Sequence, residues 1–150
     1  MNKRETVQAL MDSVQKGDFE NAKSMLADDF QFSGSTPGPI DRDSWVRMSA
    51  SLQTAFPDLD YHFKVVGTEG HVVQTTSQWS GTHNGALDLT DMNLGVIPAT
   101  SKSFVANRDW TKLTVKENKI TSWVVEPAQG AGLMEILKQL DANMPVVSPA

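Results

Sequence analysis

Cysteine is absent from the 150 residues, which excludes a disulfide framework, a thiolate nucleophile and a cysteine-ligated metal. Positive charge is the minority sign: 13 Lys and Arg against 18 Asp and Glu leave a formal net charge of -5. Nucleic acid and anionic membrane both need clustered cations, so neither is an expected partner. No uninterrupted apolar run approaches membrane-spanning length. The segment M-N-K-R-E-T-V-Q-A-L-M at the start carries basic residues with no apolar core behind them, unlike a signal peptide. A cytoplasmic location is the expectation. The three His residues form no H-x-x-x-H or comparable pair, and no metal site is expected. Neither G-x-x-x-x-G-K-[ST] nor G-x-G-x-x-G occurs, and no Ser lies in a G-x-S-x-G elbow. Nucleotide cofactors and serine-hydrolase chemistry therefore have no signal, and no cofactor is expected.

What is present reads as one domain over residues 1–150, large enough to bury a core without staples. Val7, Leu10, Met11 and Val14 recur at helical spacing until Gly17 breaks the pattern. Asp18 can cap a second short helix with Phe19, Ala22, Met25 and Leu26 on one face. F-Q-F at 30–32 reads as a strand, and S-G-S-T-P-G-P after it as a loop. Asp41 or Asp43 can cap a third helix carrying Trp45, Met48, Leu52 and Phe56, stopped by Pro57. The period then becomes two, with Tyr61, Phe63 and Val65 alternating with polar residues before the strand H-V-V-Q-T-T-S-Q-W-S. Residues 84–102 form an irregular excursion. A long hairpin occupies 103–126, a Gly-rich joint lies at 130–132, and Leu133, Ile136, Leu137 and Leu140 mark a last amphipathic helix. The tail from about residue 142 reads as extended. Helices first and strands after, without βαβ alternation, predict an α+β fold.

The hairpin carries the functional signal. A two-residue loop would set Asp109 opposite Glu126, an unfavourable like-charge pair. A longer turn with Asn118 left-handed sets Arg108 opposite Glu126, Trp110 opposite Val124 and Asp109 opposite Val125, and is the expected register. One face then holds Val105, Asn107, Asp109, Thr111, Leu113, Thr121, Trp123 and Val125. The other holds Arg108, Trp110, Lys112, Ser122, Val124 and Glu126. A polar stripe inside an apolar face is costly in a packed core and sensible in a cavity wall. The second face, with Trp110 and Val124 rimmed by charge, reads either as a partner surface or as a solvated sheet.

Several stretches in order carry a family resemblance: A-F-P-D at 55–58, S-G-T-H-N-G at 80–85, L-G-V-I-P-A-T-S-K at 94–102, K-I-T-S-W-V-V-E at 119–126 and G-L-M-E-I-L-K-Q-L at 132–140. The chain resembles the SnoaL-like polyketide cyclases, or ester cyclases, of the nuclear-transport-factor-2-like superfamily. The resemblance implies a cone-shaped α+β barrel whose curved antiparallel sheet wraps around the N-terminal helices. It also implies a deep hydrophobic pocket and a homodimer through the outer sheet face, at Trp110 and Val124. The implied activity is intramolecular aldol cyclisation without metal or cofactor. In such cyclases a carboxylate on the last strand acts as acid and base, with a His and an amide two residues apart on the strand before. By counting from the turn these positions fall on Val125, Thr111 and Asp109, a departure from the family's pattern. Glu126, one residue further, is the reserve candidate for the carboxylate.

The residues offer candidates of their own. Asp109 in an apolar cavity can serve as a base, because desolvation raises a carboxylate pKa from its ordinary value of about 3.9. The alternative is a structural carboxylate bonded to a neighbouring Thr or to backbone. His83, just after a strand, is the second titratable candidate, its alternative being a loop cap. Asn107, Thr111, Gln78 and the Trp123 indole can supply hydrogen bonds, and Trp45, Met48 and Phe63 can form pocket wall or plain core. Three functions follow: a cyclase or isomerase of a small carbonyl compound, a non-catalytic binder of a small hydrophobic molecule, and an epoxide hydrolase-like activity. The third needs two inward carboxylates near an inward Arg; Arg108 points the other way in the expected register, and Arg47 is on a helix whose facing the sequence leaves open.

Overall fold

A computed structural model describes residues 2–34, 38–90, 95–126 and 133–140. Helix α1 (Lys3–Lys16) begins at a capping box: the Asn2 side chain accepts from the Glu5 amide at 2.8 Å, and the Glu5 carboxylate accepts from the Asn2 amide at 3.1 Å. It ends at Gly17, whose φ of 77° is the left-handed cap glycine adopts freely. Asp18 caps α2 (Phe19–Ser24). This helix is shorter than its spacing predicts, because Leu26 already belongs to β1 (Leu26–Ser33). After β2 (Ile40–Asp41), α3 (Arg42–Ala55) is capped by the Asp41 side chain, which accepts from the Ser44 amide at 2.8 Å.

The expected strand from Tyr61 forms only from Lys64, as β3 (Lys64–Glu69), paired with β4 (Val72–Ser77). The strand read as continuous through Ser80 breaks at Gln78 and Trp79, and β5 (Ser80–Thr82) pairs instead with β8 (Ser103–Val105). Within the excursion, β6 (Leu87–Asp88) and β7 (Val96–Ile97) make a small ladder of their own. Two long strands follow, β9 (Asp109–Lys116) and β10 (Lys119–Glu126), and α4 (Leu133–Gln139) closes the described chain. The joint at 130–132 and the tail from about 142 lie outside the described residues.

The main sheet has six strands in the order β2-β1-β10-β9-β4-β3, all neighbours antiparallel except β1 and β10. It curves around the helices as the expected cone-shaped α+β barrel. Its concave side meets the apolar stripe of α1 (Val7, Leu10, Met11, Val14) and that of α3 (Trp45, Met48, Leu52), all buried. The excursion is tied to the end of α3, where Asn84 and Gly85 amides both donate to the Ala55 carbonyl, at 3.0 and 3.1 Å. Those bonds satisfy a carbonyl that the helix terminus leaves without a partner.

The β9–β10 register corrects the expected one. The turn is the two-residue kind, with Glu117 and Asn118 left-handed at φ 52° and 62°, as a hairpin of that length requires. The like-charge clash it would bring is removed by a bulge between Ile120 and Ser122, so that Glu126 lies opposite Trp110 and Val125 opposite Thr111. Arg108 lies before β9, and Asp109 pairs on its other side with Ser77 of β4.

Candidate functional site

The inner faces of β4 and β9 meet in a polar ladder. Thr75 pairs with Thr111, and their hydroxyls are hydrogen-bonded; Ser77 pairs with Asp109, and the Ser77 hydroxyl donates to the Asp109 carboxylate. All four side chains are buried, Asp109 to 5 % exposure. Burial pushes the Asp109 carboxyl above its ordinary value, and the bonds from the Ser77 hydroxyl and backbone pull only partly against it. Among the described residues it is the sole buried carboxylate.

Between α1, α3 and the sheet, a cavity leaves about 20 Å³ for the centre of a water-sized atom, which is room for roughly one water. Trp45, Met48, Phe63 and Trp123 line it, and so do Tyr61, Trp79 and Ser49. The rings interlock. Tyr61 stacks on Phe63 at 4.7 Å and meets the edge of Trp79 at 5.0 Å, while Trp123 lies 5.6 Å from Trp45 and 6.1 Å from Phe63. The indole N–H groups of Trp79 and Trp123 are both buried without a hydrogen-bond partner among the described residues. Burial also drives the Tyr61 phenol far above its ordinary pKa. A cavity lined by aromatic rings is hostile to charge. Asp109 and Thr111 are not among its lining residues.

Trp79 and Ser77 escaped the sequence reading, which singled out Gln78 between them. The segment V-V-Q-T-T-S-Q-W-S has polar side chains on both faces, so alternation alone does not choose the inner one. Pairing with β9 chooses it: Ser77 goes in beside Asp109, whereas Gln78 is half-buried and uses its backbone to bond Tyr61 and His62.

Other expected positions are corrected. Asn107 is exposed, because residues 106–108 leave the strand and shift the alternation: Phe104, Ala106 and Asp109 are buried, and Val105 is turned out. Glu126 sits on the outer face, where its carboxylate pairs with the Lys112 ammonium at 3.0 Å. His83 is fully buried and away from the Asp109 ladder in its contacts. Its Nδ1 accepts from the Thr100 amide at 3.2 Å, which leaves the proton of the neutral ring on Nε2, and its ring lies 5.3 Å from Phe56. Desolvation holds its pKa below the ordinary value, and Nε2 has no partner among the described residues. His83 thereby pins the excursion between β5 and residues 100–102. Among the described residues no three His, Asp or Glu side chains gather in a way that could hold a metal ion, and no helix is long and apolar enough to cross a membrane.

The sequence model of one family, the SnoaL-like polyketide cyclases, matches residues 4–139. The chain belongs to the SnoaL-like family. Solved structures agree on the fold. A SnoaL-like protein of Jannaschia sp. CCS1, assigned as a polyketide cyclase, shares 18 % identity with a TM-score of 0.73, covering 94 % of this chain and 92 % of its own. IdmH of Streptomyces antibioticus, also assigned as a polyketide cyclase, shares 20 % identity with a TM-score of 0.68, covering 94 % and 99 %. A hypothetical protein of Catenulispora acidiphila with a ketosteroid isomerase-like fold shares 16 % identity with a TM-score of 0.64, covering 93 % and 94 %. No curated protein matches. Within this SnoaL-like chain, Val125 and Thr111, the counted equivalents of the carboxylate and the His, face each other across β10 and β9. Asp109 lies two residues along the same inner face.

Proposed function

We propose that this SnoaL-like protein binds a small, mainly hydrophobic carbonyl compound inside the barrel and rearranges it by proton transfer, with Asp109 as the base. The observation that carries the reading is the buried Asp109 carboxylate held by the Ser77 hydroxyl on the concave face. Desolvation makes the carboxylate a stronger base than one in water, and Ser77 fixes its orientation. In an aldol closure Asp109 takes a proton from the carbon next to a carbonyl. The resulting enolate carbon then bonds to a second carbonyl carbon of the same molecule, and the alkoxide formed takes the proton back. An isomerisation uses the same two proton transfers without the new carbon–carbon bond. Neither route draws on a cofactor in this reading. Screening polyketide-like and steroid-like carbonyl compounds for turnover, with Asp109→Asn as the control, tests it. Turnover in the native protein that the Asn variant keeps in full removes Asp109 from the role.

A second reading, a binder without catalysis, draws support from Thr111, whose hydroxyl is engaged with Thr75, and from His83, which faces Phe56 and Thr100 and not the ladder. Ligand binding without turnover across the same compounds selects it. The epoxide hydrolase-like reading gains no support, since Arg47 and Arg108 are both exposed and Asp109 is without a second buried carboxylate among the described residues.

The outer sheet face supports a homodimer in the same proposal. Trp110 is 42 % exposed and Val124 39 %, on adjacent strands, with the Lys112–Glu126 pair at their side. An apolar centre with a charged rim is the usual make-up of an interface.

A further inference from the structure

One residue too many separates β8 from β9. Ser77 lies opposite Asp109 and Ser80 opposite Val105, so Gln78 and Trp79 on one side answer to Ala106, Asn107 and Arg108 on the other. An extra residue in one strand reverses the face that the following side chains take. Val105 is turned out, at 61 % exposure, and an unbroken strand would carry Asn107 and Asp109 out with it. Asp109 is instead buried against Ser77.

The peptide that joins Val105 to Ala106 is held at both ends. Its N–H, on Ala106, donates to the Trp79 carbonyl at 2.9 Å. Its C=O, on Val105, accepts from the Gln139 Nε2 at 2.8 Å, and the Val105 amide donates to the Gln139 Oε1 at 3.0 Å. Val105 has both groups to offer because Ser80, opposite it on β5, exchanges its own two backbone bonds with Asp60, at 2.9 and 3.0 Å. A peptide unit is planar, so bonds to the N–H before Val105 and to the C=O after it fix both of its backbone angles. Gln139 is the last residue of α4, which Ile136 and Leu137 seat by burial.

We infer that Gln139 is a positioning residue for Asp109: its carboxamide clamps Val105 facing outward and so sets the bend after which Asp109 faces inward. This role rests on the reading of Asp109 as the base of the proton transfer. The clamp needs one acceptor and one donor in a single planar head, which glutamine has and an ionised glutamate lacks. A protonated glutamate has both again, so Gln139→Glu carries its own control.

The test compares the native protein, Gln139→Ala and Gln139→Glu by amide hydrogen exchange at Val105 and by carboxyl ¹³C NMR titration of Asp109. Gln139→Ala is expected to speed exchange at Val105 by about tenfold, while the Phe104 amide, opposite Gly81, keeps its rate. It should also bring the Asp109 pKa down toward about 3.9, as the carboxylate gains access to water. Gln139→Glu should show the fast exchange at about pH 7. After correction for the intrinsic rate it should regain the native protection at about pH 3.5, below the ordinary glutamate pKa of about 4.3.

An unchanged Val105 rate in Gln139→Ala overturns the clamp. Faster exchange with the Asp109 pKa unmoved overturns the positioning role and leaves Gln139 as a cover for the edge of β8. Equal protection of Gln139→Glu at the two pH values overturns the need for donor and acceptor together. None of these readouts uses a substrate, so their failure leaves the base assignment standing, whereas full turnover in Asp109→Asn removes the base and leaves the clamp. Should Gln139→Ala fail to fold, Gln139→Glu at the two pH values decides within one protein.

Discussion

Ser77 and Asp109 lie directly opposite each other on β4 and β9, with the hydroxyl of the first donating to the carboxylate of the second on the buried face of the sheet. Burial raises the Asp109 pKa, and Ser77 restrains the rise. Removing the hydroxyl with Ser77→Ala should therefore move the Asp109 pKa further upward, which carboxyl ¹³C NMR titration measures directly. An unchanged or lowered pKa would mean that the hydroxyl does not stabilise the ionised form.

The same shift has a consequence for stability. A carboxyl whose folded pKa lies above its unfolded value of 3.8 favours the folded state only while protonated. Its contribution is complete below that value and is lost as pH rises through the raised folded pKa. Asp109→Asn keeps the shape without the ionisation. Urea unfolding from pH 3.5 upward should show the native protein losing stability relative to the Asn variant over that window.

His83 has the opposite sign. Its folded pKa is held below 6.5 by desolvation, so the folded state binds fewer protons than the unfolded one. The stabilisation is complete above 6.5 and declines as pH falls from there through the lowered folded value. His83→Phe should flatten the pH dependence over this range. At pH 8 it should cost about 1–3 kcal/mol, because the Thr100 amide loses its acceptor. Parallel pH dependence in the two proteins would show that His83 does not titrate between the states.

Thr75 and Thr111 satisfy each other in the ladder. Thr111→Val should leave the Thr75 hydroxyl buried and unpaired, at about 1–3 kcal/mol. The double variant with Thr75→Val should recover most of that loss, since an apolar pair of the same shape leaves nothing unsatisfied. A double-mutant cycle by chemical denaturation reads the coupling. Additive losses would show that the two hydroxyls are independent.

Trp110→Glu tests the outer face. It should shift sedimentation from dimer to monomer while leaving the circular dichroism spectrum of the fold unchanged, because the Trp110 side chain is exposed on the outer face. A monomeric native protein removes the dimer from the proposal.

Local chemistry was legible without the structure wherever one residue sufficed to direct the chain. Asp18 and Asp41 cap helices because a short acceptor side chain precedes an apolar stripe. Gly17 ends α1 because few other residues adopt its backbone angle easily. Asp109 on the inner face followed from the alternation of β9 with Thr111, Leu113 and Val115, which is regular. The charge argument that kept Asp109 away from Glu126 held as well, although the bulge in β10 and not a longer turn accomplishes it.

Long-range pairing decided the rest. The parallel β1–β10 neighbours join residues some ninety positions apart, and no local pattern records them. Val105 and Asn107 were read from an unbroken alternation, which the break at 106–108 overturns, whereas Glu126 lies on the outer face where the expected register put it. Trp79 lies beyond the end of β4, and its place at the cavity follows from long-range backbone bonds, the Gln78 amide to the Tyr61 carbonyl and the Ala106 amide to the Trp79 carbonyl. The sequence by itself determined the α+β elements, the family and a buried carboxylate, because these depend on side-chain period and on motifs near each other in the chain. Tertiary structure alone decided which polar groups share a cavity and which remain unsatisfied, because register and burial are properties of two strands at once.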